Sequence, residues 1–285
     1  MTQWKNPVAR EHQGAAPFPG FSNEECRQRG ATPVDGQVEA DLRQPHSMPK
    51  IVFPRGGLGK PGIVTGEDFL RASPLPIDWG ENPRQDACAL LRALFLPDEY
   101  VFAAWNHRMP ARLGTTVRTR REWEQVFRTC PQLPCLFLPN PVGALPRRTQ
   151  HGKWSCRGST SIVSFRHAIV EFEAIPEDEQ FPVWASMDLA NLSALVSTGV
   201  GTLQGIVRVN APNEAAWKAG YEKKWLPMGC KPRCAVSASL ARMAGGKRSL
   251  VTKAFCRTHA AEAIPPLVQQ GLWYVRPELV VGGDS

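Results

Sequence analysis

The sequence predicts an α+β fold with a central, mostly antiparallel sheet flanked by helices. Three observations lead there. Helical and strand-like periods are mixed along the chain, and several connections between them are short. A length of 285 residues with 42% hydrophobic and 21% charged content also allows one large or two ordinary domains and a real core.

Residues 1–75 are rich in proline, glycine and polar residues and have no sustained period. They read as an extended or disordered leader, with a short element near "PKIVFPRGG". The folded region is expected over 76–258, opening at "SPLPIDWGENP", with 259–285 as a C-terminal extension. Asn82-Pro83 offers a helix cap and a first-turn proline, and "QDACALLRALF" continues with apolar residues on one helical face. "EYVFAAW" reads as a strand, and Thr119 with Glu122 forms a capping box ahead of the helix "REWEQVFRTC". "CLFLPNP" is a short strand stopped by proline, and "HAIVEFE" is a buried strand by its β-branched and aromatic content. "PEDEQFPVWASMDLA" is helical but must accommodate Pro182. "ALVSTGVGTLQGIVRV" is a hairpin around a Gly-rich turn, "NEAAWKAGYEKKWL" a helix, and "LVTKAF" a closing strand. No internal repeat is visible.

Composition excludes some classes. No run approaches 18 apolar residues, so no membrane span is expected, and "MTQWKNPVAREHQ" lacks the apolar core of a secretory signal. The chain therefore reads as cytoplasmic. Its eight cysteines lack CxxC spacing, and reduced, mostly buried thiols are favoured over a zinc site. His107, His151 and His167 also lack metal-ligand spacing.

The net charge of +8 is segregated. Residues 106–166 hold eleven Arg/Lys against two Glu, residues 217–257 hold ten against one, and 171–188 hold six carboxylates and no base. Basic walls around an acidic spot suit a polyanion held beside a metal site, although long basic side chains can simply solvate a surface. Arg147, Arg148, Lys247 and Arg248 are the candidate nucleic-acid contacts within those basic stretches. Trp123, Trp184, Trp217 and Trp225 are expected to pack rather than to stack on bases.

On "HAIVEFE", Glu171 and Glu173 share a strand face about 6.6 Å apart, within reach of one cation or a close pair. Hard carboxylate oxygens suit Mg²⁺ or Mn²⁺, and two such ions can activate a hydroxyl and stabilise a departing pyrophosphate. The plainer alternative is a solvent-facing strand with two solubilising glutamates. Further on, the hairpin glycines allow close backbone approach to a phosphate, and Gln204 and Arg208 share a face of its second strand.

The order "VEFE", then the Ser/Thr-Gly hairpin ending in "TLQG", then "RMAGG", resembles the archaeo-eukaryotic primase superfamily. The resemblance runs from about Leu75 to Phe255 and is nearest to primase-polymerase-like domains of phage, plasmid and other mobile-element replication proteins. It implies an RRM-like, mostly antiparallel sheet and a metal-dependent, DNA-directed nucleotidyltransferase site. Glu171 and Glu173 then match the metal-binding and catalytic pair, with Gln204 at the catalytic histidine position. Thr198, Gly199 and Thr202 match the nucleotide-binding hairpin, joined by Arg208 and Arg242 on the phosphates. The implied ligands are Mg²⁺ or Mn²⁺, NTP or dNTP, and single-stranded or template DNA, with any replicative helicase a separate chain.

The departures from that pattern bear on activity. Gln204 cannot carry the proton or charge of a histidine, and Gly201 stands where the family has lysine. Cys230 and Lys231 stand where a third acid is usual, and an ammonium there repels Mg²⁺ or replaces its charge. Three readings follow: a primase-polymerase with a weakened site, an inactive descendant that binds DNA or a replication partner, and an unrelated α+β protein.

Overall fold

The computed structural model describes residues 64–78, 81–149, 152–172, 175–187, 189–249 and 267–276. The element expected at "PKIVFPRGG", the strand expected at "LVTKAF", His151 and Glu173 lie outside the described residues.

Five helices are described: α1 (Gly66–Ala72), α2 (Pro83–Leu94), α3 (Arg120–Thr129), α4 (Glu177–Ser186) and α5 (Glu214–Lys224). Each of three starts is fixed by a side chain that satisfies a backbone donor of the first turn. The Asn82 side chain accepts from Gln85 N at 3.3 Å, and the Asn213 side chain accepts from Ala216 N at 2.9 Å. Thr119 and Glu122 form the expected reciprocal box, with contacts of 2.8 and 3.2 Å.

The described strands form two four-stranded sheets rather than one central sheet. The first joins β1 (Tyr100–Ala104), β2 (Val117–Thr119), β3 (Leu136–Phe137) and β9 (Ala241–Arg242) in the order β2-β1-β3-β9. The second joins β6 (Phe165–Glu171), β7 (Leu192–Ser197), β8 (Leu203–Ala211) and β12 (Leu272–Val275) in the order β12-β7-β8-β6. Two ribbons, β4 (Arg147–Arg148) with β5 (Trp154–Ser155) and β10 (Lys247–Ser249) with β11 (Leu267–Gln269), complete the described strands. All these ladders are antiparallel. Proline explains part of the division. Pro134 and Pro139 bracket β3, and proline cannot donate to a ladder. At β6, the Asn140 side chain takes a neighbouring strand's role, accepting from His167 N at 2.8 Å and donating to His167 O at 2.9 Å.

The core extends past both ends of the 76–258 region. Phe69 of α1 and Leu272, Tyr274 and Val275 of β12 are buried, and Phe69 meets Tyr274 edge-on with ring centroids 6.2 Å apart. The four-residue β12 completes the sheet by pairing with β7, a partner its own sequence does not announce.

In α4, Pro182 falls past the first turn, where its missing N–H removes a helical bond. The same helix carries the buried Gln180, which donates to Phe172 O at 3.1 Å and accepts from Leu203 N at 3.2 Å, joining the end of β6 to the start of β8. Trp184, also on α4, lies over Gly205 of β8 so closely that a Cβ there would stand 2.1 Å from the indole. Among the described residues, no helix is long and apolar enough to cross a membrane.

Burial in α2 has a pH signature. Asp86 accepts from Asp78 N at 3.1 Å, and desolvation pushes its carboxyl up to about 6 despite that hydrogen bond, with the Asp78 charge adding to the rise. The folded chain thus binds the proton more tightly than the unfolded chain. This contribution to stability is full below the ordinary value of 3.8 and is lost as pH rises through about 6. Asp86→Asn keeps an acceptor for Asp78 N and removes the titration. Thermal unfolding should show the variant more stable than wild type at about pH 7.5, by roughly 2–3 kcal/mol, with the difference closing near pH 4.

Candidate functional site

The candidate site sits where the second sheet meets β9 of the first. Glu171, at the end of β6, is paired in register with Gln204 of β8. Both side chains are buried, and Gln204 Nε2 donates to Glu171 Oε2 at 3.3 Å. Gln204 Oε1 in turn accepts from the backbone N–H of Arg242, in β9, at 2.7 Å. The glutamine therefore ties β6, β8 and β9 together, and both ends of its amide are used.

The other carboxylate oxygen of Glu171 is also engaged. Lys231 Nζ lies 3.1 Å from Oε1, and the Arg233 guanidinium lies 3.6 Å from the same atom. The segment is held from the backbone as well, since Lys231 N donates to Glu171 O at 3.0 Å. Lys231 is nearly buried at 9% side-chain exposure, whereas Arg233 is 64% exposed, so the lysine is the desolvated partner. A short 3-10 turn, Pro232–Cys234, places the two cations on one carboxylate. Burial pushes the Cys230 thiol up to about 12, with the neighbouring Cys234 adding to the rise, so this end of the site lacks a ready thiolate ligand.

The sequence-derived residues divide into those that converge and those that do not. Glu171, Gln204 and the backbone of Arg242 converge. The Arg242 guanidinium is largely buried, and its pKa is lowered first by that burial and then by the nearby Arg248. Arg208 lies four residues from Gln204 along β8, about 13 Å away, and pairs in register with His167. His167 is fully buried with Nδ1 3.0 Å from Pro139 O, a satisfied strand histidine rather than a group at the carboxylate. Arg147 and Arg148 are exposed on β4, while Lys247 is exposed and Arg248 half-buried on β10. Sequence reasoning missed Arg233, although the dense basic run "KPR" carries it.

The hairpin turn is closed on itself. Thr198 N donates to Thr202 O at 2.9 Å, the two threonine hydroxyls lie 2.8 Å apart, and Gly199 N donates to Ser197 Oγ at 3.2 Å. Gly199 has a left-handed φ of +71°, and a Cβ there would meet Val268 Cγ1 at 2.9 Å and Gln269 O at 3.0 Å. The backbone donors of Thr198 and Gly199 are therefore spent within the chain, beneath β11.

The donor set does not fit a divalent cation. Mg²⁺ and Mn²⁺ ask for several hard oxygen ligands, and here two cationic side chains occupy the described carboxylate. Among the described residues, no group of three or more His, Cys, Asp or Glu could hold a metal ion. Comparison of the chain with protein families, with curated proteins and with solved structures returns no match.

Proposed function

We propose that this chain is a DNA-binding protein descended from primase-polymerases, in which the former nucleotidyl-transfer site has become a structural ion pair. The observation that carries the reading is the state of Glu171, with one carboxylate oxygen on Lys231 and Arg233 and the other on Gln204. A metal-binding carboxylate needs free lone pairs and a negative field, whereas both oxygens of this one are engaged, one by cationic side chains and the other by an amide. The motif order that resembles the primase superfamily supports the descent, and the exposed Arg147, Arg148 and Lys247 support a polyanionic partner. A working primase-polymerase on the same fold needs Glu171 to exchange its cationic donors for metal, at the cost of breaking its nearly buried pair with Lys231.

The test is de novo synthesis and primer extension on single-stranded DNA with NTPs or dNTPs and Mg²⁺ or Mn²⁺, comparing wild type with Glu171→Gln. Fluorescence anisotropy follows DNA binding over a salt series. The expected result is no synthesis above background by either protein. Binding should survive chelation of divalent cations, and log K should fall linearly with log salt. Wild-type synthesis that disappears in Glu171→Gln would establish an enzyme instead. Failure to bind DNA at low salt would remove the DNA-binding reading.

A further inference from the structure

Away from Glu171, the β4–β5 ribbon carries an exposed tryptophan. Trp154 is 67% exposed, an unusual position for a side chain with so much apolar surface. The ribbon that presents it is well tied. Arg148 is paired in register with Trp154 and Arg147 with Ser155, while Thr149 N donates to Lys153 O at 2.8 Å and Gly152 N donates to Thr149 O at 2.9 Å. The Arg148 guanidinium lies 5.9 Å from the centre of the indole.

Lys153 and Trp154 of this ribbon line an open groove of about 840 Å³ together with Arg157, Met109, Arg112 and Leu113. Among the described residues, no carboxylate lines this groove. Residues 100–121 and 125–170 contain no Asp or Glu at all, so the surrounding chain supplies no counter-charge. Of the two glutamates between those stretches, Glu122 closes the α3 capping box and Glu124 is paired with Arg92 and Arg120. Glu214 lines a smaller depression that shares Thr149 with the groove, and it accepts from Ser237 Oγ at 2.7 Å.

We propose that this ribbon is a contact for single-stranded nucleic acid, with Trp154 stacking on a base and Arg147, Arg148 and Lys153 on the flanking phosphates. The inference rests on the DNA-binding reading above and gives it a location. Cation and indole side by side match a ligand that alternates an anionic backbone with flat π-faces. An acidic polypeptide supplies only the charge, and a duplex keeps its base faces inside the stack.

The experiment measures fluorescence anisotropy of a short labelled oligothymidine and of a duplex of the same length. It compares wild type, Trp154→Ala, Trp154→Phe and Arg147→Ala/Arg148→Ala, with polyglutamate as competitor. Trp154→Ala should weaken oligothymidine binding about 5- to 150-fold, Trp154→Phe should recover most of the loss, and duplex binding should change little. The double arginine variant should lower the slope of log K against log salt by about 1.4. Wild-type binding unaltered by Trp154→Ala overturns this location while leaving the DNA-binding reading standing. Equal losses on single strand and duplex, or competition by polyglutamate as effective as by oligothymidine, assign the ribbon to a general basic patch and overturn the stacking role. Absence of any wild-type binding overturns both. Because the indole is mostly exposed, thermal unfolding of Trp154→Ala should match wild type, and Trp154→Phe decides the case if it does not.

Discussion

Lys231→Ala should destabilise the fold by about 3 kcal/mol, seen as a lower denaturation midpoint at unchanged slope in urea. The substitution removes an ammonium 3.1 Å from a carboxylate that is itself only 8% exposed, leaving a buried charge without its closest counter-charge. The loss stays near the lower end of what such breaks cost because Arg233 remains at 3.6 Å and Gln204 at 3.3 Å. The sharper expectation concerns the double variant. Lys231→Met with Glu171→Gln removes both charges while keeping an oxygen for Gln204, and it should recover most of the stability. It should also do so at high salt, since buried pairs are poorly screened. Equal and additive losses in the two single variants would show that the pair is not coupled.

Gly205→Ala should cost a comparable amount, about 3 kcal/mol, and lower the melting temperature by roughly 6–12 °C. A methyl group at this position would stand 2.1, 2.6 and 2.7 Å from three atoms of the Trp184 ring. That ring is only 1% exposed and packs edge-on against Phe172 with centroids 5.5 Å apart, so it has no solvent-filled space to move into. Gly205 also follows Gln204, and displacement of β8 would stretch the contacts from Gln204 to Glu171 and Arg242. Trp184→Phe in the Gly205→Ala background frees ring volume and should restore part of the loss. A double-mutant cycle by calorimetry reads this directly, and simple additivity would locate the strain elsewhere.

The elements most legible in the sequence are those fixed by local chemistry. Asn82-Pro83, the Thr119–Glu122 box and the turn between β7 and β8 each satisfy or bend a backbone within a few residues. The division into two sheets is not local. It depends on two-residue strands bracketed by proline and on an asparagine side chain taking a strand's role beside His167. Helix α1 escaped notice because its seven residues follow a Pro/Gly-rich stretch, although Thr65 and Asp68 carry capping chemistry. In the site, the presence of Lys231 in a basic run is legible, but its pairing with Glu171 joins positions sixty apart in the chain. Trp154 was obscured for another reason. Tryptophan is ordinarily a packing residue, and only its exposed place in the fold separates it from the buried Trp123, Trp184, Trp217 and Trp225.

The position of β12 beside β7 has a consequence for biosynthesis. The ribosome makes β7 about eighty residues before β12, and the hydroxyl of Ser73 finds the Val275 carbonyl across a separation of 202 residues. Until β12 emerges, the nascent chain carries an open β7 edge and an α1 that lacks its contacts with β12, both of them surfaces on which chains aggregate. Closure of this sheet is therefore a late event in the birth of the molecule. A long interval before β12 is made leaves the β7 edge open to pairing with other chains, which slow long-range pairing prolongs.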